Sequence, residues 1–583
     1  MLLRSAMRPA PLHSIYQSIV ALCFLALPVH ARAAEVATAI GPIVGGKHGM
    51  VVSSSNEAAR VGAAVLADGG NAVDAAIAVQ FALGVAEPGY SGIGGGGFML
   101  VYEAATDEVT VFDSRERAPA SARPKMFLKK NGEPIAFAKR RTLGVAVGVP
   151  GALAGIEAAR LEFGTRPLAE LIAPSIELAE HGVIVSRLMA ASLREHEAVL
   201  AANPAASARF LPGGEPLAIG DLLVQPELAD TLRLIAEDGI DAFYRGPIGE
   251  AFVAEVDAAG GGMTMADLKK YAITRDEPVR GNYGVYELVT VAPPSSGGLT
   301  VLQMLALLDR LDLGQYPEDS SLRYHAVLKA MHLAFADRNA WLGDPEFVDI
   351  PLAGWLAPKY IKQRAALIDF DADTCPIPPG ALAGAAPALA PLEFLNGDPQ
   401  TTHVDVADRW GNLVAFTVTI EQHYGTGRLL PGHGFFLNNE LTDFDPLPGR
   451  PNSPAPNKRP LSSMAPTLVL QDGQPAYVIG SPGGPRIIAA VAQVLLDLLE
   501  YDLDLEHAIA RPRVFAAACD DKIRWEADLS PAVRSELEQL GHRFRDEPLE
   551  VGDVGLIAIE GDTYVGVADP RRDGVAVGLT RAD

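Results

Sequence analysis

The chain has little cysteine, a deficit of basic residues and no long apolar run. Only Cys23, Cys375 and Cys519 occur in 583 residues, too few for a disulfide scaffold or for a thiolate cluster around a structural metal. Against 72 Asp and Glu stand 48 Lys and Arg, a formal charge of −24. Such a charge repels a phosphate backbone and argues against a nucleic-acid partner. No apolar run reaches the roughly 20 residues that a membrane-spanning helix needs. A P-loop, an HExxH and a GxSxG are all missing, so nucleotide hydrolysis, zinc proteolysis and α/β-hydrolase chemistry lose their usual marks. No cofactor is implied. What is present, 49% hydrophobic and 21% charged residues, is ordinary for a folded protein with a large core. At roughly 150 residues per domain, the length suggests about four domains.

Residues 1–33 carry Arg4, Arg8 and Arg32 and no acid, and the apolar run from Ile19 to Leu27 precedes Ala31-Arg32-Ala33. This is the pattern of a secretory signal peptide cut after Ala33. Leu22 stands before Cys23 where lipoprotein processing wants a small residue. Removal takes three arginines from the 48 basic residues and no acid, leaving 45 against 72, or −27. The mature chain is expected to be exported to the periplasm or medium, acidic and without a membrane anchor. Cys375 and Cys519 then remain, either to pair in an oxidising compartment or to stay as two buried thiols.

Ser55 is a plausible N-cap for a helix over 56–67; Gly69-Gly70 breaks it, and a second Ala-rich helix follows over 72–85, ending near Pro88. Strands are expected over 98–103 and 108–113, and helices dominate 151–370. Asp373 to Pro391, rich in Pro and Ala, reads as an exposed linker. Gly92-Ile-Gly94-Gly-Gly-Gly97 matches GxGxxG, but it runs from helix to strand, the reverse of the dinucleotide-binding context. The twelve histidines are dispersed, and each, His403 included, reads as a polar or packing residue.

The segment 400–486 is richer in signals. Gln400-Thr401-Thr402-His403 through Ile420 alternates apolar and polar positions on both sides of a turn, the pattern of a β-hairpin. A turn centred near Trp410 places Thr401 opposite Thr419. Taken alone, that pair is ordinary sheet chemistry. Downstream, Glu440 and Asp443 lie on an irregular segment, and Ser462-Ser463 follow a Pro-rich loop. A hairpin over 466–480 leads through Ser481-Pro-Gly483-Gly484 into a helix over 486–499. Two glycine N–H groups at a strand-to-helix junction form the hardware of an oxyanion hole.

Together these stretches resemble the γ-glutamyltranspeptidases, or glutathione hydrolases, of the N-terminal nucleophile hydrolases. Eight blocks carry the resemblance in order: Gly69-Gly-Asn-Ala-Val-Asp-Ala-Ala76, Gly94-Gly-Gly-Gly-Phe-Met99, Asp113-Ser-Arg115-Glu116, Pro293-Pro-Ser-Ser-Gly-Gly298, Trp341-Leu-Gly-Asp-Pro345, Thr401-Thr-His403, Pro456-Asn-Lys-Arg-Pro-Leu-Ser-Ser-Met464 and Gly480-Ser-Pro-Gly-Gly484. The resemblance implies a four-layer αββα sandwich and self-cleavage between Gln400 and Thr401. Chains 34–400 and 401–583, of 367 and 183 residues, would then form one composite domain. It implies that Thr401 is the nucleophile and that its freed α-amine is the base. Thr419 would orient it, and Gly483 and Gly484 would hold the oxyanion. Arg115, Ser462 and Ser463 would bind a glutamyl α-carboxylate, and Glu440 and Asp443 its α-ammonium. Small γ-glutamyl compounds and amino-acid or peptide amines are the implied partners.

Two departures stand out. Glu421 occupies a position where the family commonly has Asn, adding a carboxylate toward the ammonium. The stretch 445–455 is short beside the family's lid loop, which implies a more open site. The nearest rival is a cephalosporin or glutaryl acylase of the same fold, whose glutaryl group has no ammonium for Glu421, Glu440 and Asp443 to meet. A non-enzymatic periplasmic binding protein would need the pocket but no chain scission.

Overall fold

The computed structural model describes residues 36–382, 400–518 and 522–581; the expected signal peptide, Cys519 and the second half of the expected linker lie outside them. Two antiparallel sheets are stacked face to face. The first has eight strands in the order 36–41, 575–581, 49–53, 402–408, 413–419, 96–103, 108–113 and 274–276. The second has seven, in the order 43–46, 563–568, 555–560, 474–480, 467–471, 286–290 and 279–283. Each sheet draws strands from both sides of Gln400.

Side-chain alternation sorts these strands into layers, because a strand shows successive residues to opposite faces. Val404, Val406, Val414 and Phe416 face outward and pack under helices including Asn56–Ala67 and Ala72–Ala86. Ala407, Leu413 and Ala415 face inward, against Leu468, Val478 and Ile557 of the second sheet. The outer face of that sheet carries Val469 and Ile479 beneath helices Gly297–Leu308, Ser321–Trp341 and Arg486–Leu499. Helix, sheet, sheet and helix make four layers, the expected sandwich. The length-based expectation of about four domains is corrected: burying both faces of two large sheets uses most of the chain in one architecture.

Local signals account for several boundaries. The Asn56–Ala67 helix starts where Ser55 Oγ accepts from the Ala58 N–H. The next helix starts on a reciprocal box in which Asn71 Oδ1 accepts from the Asp74 N–H and Asp74 Oδ2 accepts from the Asn71 N–H. This second helix is buried on nearly every side, and its alanines let the first sheet approach closely.

The expected exposed linker is borne out over its described half, where Thr374, Cys375, Pro376, Pro378 and Ala381 are exposed, although it is tethered to the body of the protein. Over 373–382 the chain has no regular structure but is docked. Gly380 N donates to Asp337 Oδ1 at 2.7 Å, Trp341 Nε1 to Gly380 O at 3.0 Å and Arg364 Nη1 to Pro378 O at 2.9 Å, and Leu382 is buried. Cys375 is disulfide-bonded. Among the described residues no helix is long and apolar enough to cross a membrane.

Candidate active site

The hairpin forms in the expected register, with Thr402 opposite Val418 and His403 opposite Thr417. Thr401 therefore lies beside Thr419 at the mouth of the inter-sheet space. The Thr401 hydroxyl approaches Thr419 Oγ1 at 3.5 Å, and the Thr419 hydroxyl donates to the Gln400 carbonyl at 2.7 Å. Glu421 N donates to the same Thr419 oxygen at 2.8 Å. A chain of hydroxyls thus runs from Thr401 to the carbonyl of the bond that precedes it. From the other side, Arg572 Nη1 reaches the Thr401 carbonyl at 3.4 Å, and its Nη2 donates to Gln400 Oε1.

Thr401 and Thr419 open into a cavity that also exposes Arg115, Glu421, Glu440 and Asp443. Ser462, Ser463 and Gly484 line it too, while Gly483 is the next residue back along the loop. Gly483 and Gly484 have φ of 123° and 58°, a region that residues with a Cβ avoid. The helix Arg486–Leu499 starts immediately after. Among the described residues no backbone carbonyl accepts from either glycine N–H.

The recognition side is densely charged. Arg115 is buried; its Nη1 donates to Glu440 Oε1, its Nη2 to Asp443 Oδ2 at 2.5 Å and to Leu461 O at 3.0 Å, and its Nε to Pro460 O at 3.2 Å. Glu116 lies 3.8 Å from its Nη1. Burial opposes the guanidinium charge, but Glu440, Asp443 and Glu116 outweigh it and hold the Arg115 pKa above its ordinary value. Glu440 and Asp443 share one short turn, Glu440–Asp443, so a spacing of three puts both on the same guanidinium. Glu421, at a φ of 78°, turns its carboxylate inward, where it accepts from Asn439 Nδ2 and from Gln422 Nε2 at 2.8 Å. Burial, then the neighbouring Asp443 and Glu440, push its pKa up to about 8.

Several site residues escaped the sequence. Arg338, Arg450 and Asn452 line the cavity, and Arg572 touches the Gln400-Thr401 segment. Arg338 stands three residues before the Trp341-Leu-Gly-Asp-Pro345 block, the only sequence signal near it. The short stretch 445–455 is folded on itself through Arg450 to Asp445 at 2.7 Å and Asn452 Nδ2 to the Asp443 carbonyl at 2.7 Å. It forms one wall of the cavity rather than a gap. His403 does not reach the cavity. It lies between the sheets, bonded to Thr417 Oγ1 at 2.8 Å and Asp405 Oδ1 at 2.9 Å, and a Cβ at Gly480 would stand 2.1 Å from its ring. It is a packing residue.

Comparison with known proteins bears on what this arrangement is. The family model for gamma-glutamyltranspeptidase matches residues 58–579. The chain belongs to the γ-glutamyltranspeptidase family. It is 47% identical over 544 residues to the glutathione hydrolase proenzyme of Bacillus subtilis (strain 168), covering 92% of each chain. It is 38% identical over 539 residues to that of Escherichia coli (strain K12), covering 90% of each. Among solved structures, a cephalosporin acylase from Bacillus halodurans superposes with a TM-score of 0.81 at 26% identity, over 93% of this chain and 97% of that one. The protein is therefore an enzyme of the γ-glutamyltranspeptidase type, and the acylase is a relative of the same fold.

Proposed function

We propose that the chain is an exported precursor that cuts itself between Gln400 and Thr401 and then acts on γ-glutamyl amides such as glutathione. The observation that carries this is the hydroxyl chain from Thr401 through Thr419 to the Gln400 carbonyl, set at one end of a cavity whose other end holds Arg115 among acids. In the precursor, Thr419 polarises the Gln400 carbonyl while Thr401 Oγ attacks it. The Gln400-Thr401 C–N bond breaks as the ester forms, the hydroxyl proton passing to the Thr401 nitrogen and freeing its α-amine, and water then hydrolyses the ester to separate the chains. An α-amine has an ordinary pKa of about 7.7 to 8.0, so a useful fraction is unprotonated near neutrality.

In turnover, that amine takes the hydroxyl proton as Thr401 Oγ attacks the γ-carbonyl, and the Gly483 and Gly484 N–H groups receive the oxyanion. The leaving amine departs with the proton, leaving a γ-glutamyl ester on Thr401. Water releases glutamate from it, or an amino-acid or peptide amine takes the glutamyl group. The α-carboxylate is held by Arg115, Ser462 and Ser463, and the α-ammonium by Glu421, Glu440 and Asp443. An ammonium there relieves the crowding of carboxylates that raises the Glu421 pKa. A glutaryl group brings no such cation and leaves three acids facing one another.

Denaturing electrophoresis and two anilides test this reading. Mature protein is expected as chains 34–400 and 401–583, whereas Thr401→Ala stays as one inactive chain. The γ-glutamyl anilide should be cleaved in strong preference to the glutaryl anilide. An intact chain with full activity defeats the nucleophile assignment, and preference for glutaryl makes the protein an acylase.

A further inference from the structure

Arg338 lies in the last turn of the Ser321–Trp341 helix and lines the same cavity as Thr401 and Arg115. Its guanidinium meets only neutral acceptors. Nε donates to Ser296 Oγ at 2.7 Å, Nη1 to Asn339 Oδ1 at 2.7 Å and Nη2 to Ser463 Oγ at 3.1 Å. Among the described residues no carboxylate lies within ion-pair distance of it, whereas Arg115 is paired with Glu440 and Asp443 and Arg450 with Asp445. Arg338 is half-buried, and a guanidinium partly withdrawn from water without an anion beside it is incompletely compensated. Burial pulls its pKa down to about 10, with Asp443 alone opposing. The missing partner is an anion.

The geometry says where that anion belongs. A serine oxygen that accepts from Arg338 still has its own O–H to donate, and Ser463 opens onto the cavity. Ser296, the other hydroxyl on Arg338, donates to the Ser462 carbonyl at 2.5 Å, and its N–H donates to the same oxygen at 2.8 Å. One guanidinium thus braces both serines. Arg115 is already engaged by two carboxylates with a third at 3.8 Å, so on its own it offers an entering carboxylate no excess of positive charge.

We propose that Arg338 is a positioning residue for the substrate α-carboxylate: it aims the Ser463 hydroxyl into the cavity and supplies the positive charge that the acids around Arg115 neutralise. This rests on the γ-glutamyl reading above.

The test compares γ-glutamyl anilide with 4-aminobutyryl anilide, which differs only in lacking the α-carboxylate. The wild-type enzyme should favour the first in kcat/KM. Arg338→Gln should lose about tenfold or more of that preference, mainly through KM, and Arg338→Lys, which keeps the charge but not the fork, should lose part of it. On a Ser463→Ala background, Arg338→Gln should cost distinctly less than on the wild type, because the relay is already broken. Self-cleavage on a gel reports folding of each variant; should Arg338→Gln remain uncut, the Lys variant decides. Equal losses for both anilides, or an unchanged preference in the folded variants, overturn the Arg338 proposal and leave the γ-glutamyl reading standing. A wild-type enzyme that cleaves neither anilide overturns both.

Discussion

The two ends of the cavity are built from opposite materials. Inside the cavity, the groups around Thr401 are mainly hydroxyls and backbone amides, with Thr419 bridging toward the Gln400 carbonyl and two glycines at a helix start. A charged contact, Arg572, approaches the backbone from the other side. Two residues beyond Thr419, Glu421 begins a region where Arg115, Glu116, Glu440 and Asp443 crowd together, all buried except Asp443, which is half-exposed. Near Thr401 the hydroxyl and backbone contacts set angles and distances. At the charged end, burial holds the Glu421 carboxyl at about 8 and also pushes the Glu116 pKa up to about 8, with Arg115 opposing. Bond-making at one end depends on aligned dipoles, and recognition at the other depends on charges that only an oppositely charged substrate completes.

Substitutions at each end should separate these roles. The largest effect is expected at the neutral end. Thr419→Ala removes the donor to the Gln400 carbonyl and should slow self-cleavage by about 10²- to 10³-fold, while Thr419→Ser restores much of it; time courses on denaturing gels measure this. An Ala variant that cleaves at the wild-type rate would place Thr419 outside the chemistry. At the charged end, Arg115→Lys keeps the charge but loses the planar fork. It should raise KM for a γ-glutamyl anilide by about tenfold or more, with a smaller change in kcat. A loss confined to kcat would erase the contrast between the two ends.

The smallest effect concerns stability. The Glu421 pKa is raised from 4.5 to about 8 in the folded protein, so between those values the folded state holds a proton that the unfolded chain has released. Its contribution is full below pH 4.5 and is lost as pH rises toward 8. Glu421→Gln does not titrate and should narrow the difference between Tm at pH 5 and pH 8 in thermal melts. An unchanged difference would mean that Glu421 is ionised across that range.

Much of this contrast was legible in the sequence, for physical reasons that differ by element. The hairpin over 402–419 announces itself because alternation and a short turn leave one sensible register, and that register alone brings Thr401 to Thr419. Helices 56–67 and 72–86 carry their caps in Ser55 and Asn71. The strands over 36–53 were not anticipated, because their partners lie hundreds of residues away, and the hairpin of 555–560 with 563–568 was not singled out although its two strands are neighbours in sequence. The hairpin of 279–283 with 286–290 was missed because it lies inside an otherwise helical region. Arg338 and Arg572 were missed because nothing adjacent in sequence predicts what a half-buried arginine faces.

The sequence by itself determined local matters: where helices begin, how one hairpin folds, and that glycines precede a helix at 483–484. Those follow from periodicity, capping and backbone freedom within a few residues. Only the tertiary structure decided that Arg115 meets Glu440 across more than three hundred residues, that His403 is buried between sheets, and that Arg338 faces the cavity with no carboxylate among the described residues within ion-pair distance. Such pairings depend on how two sheets stack and which faces they bury, and stacking is a property of the whole chain.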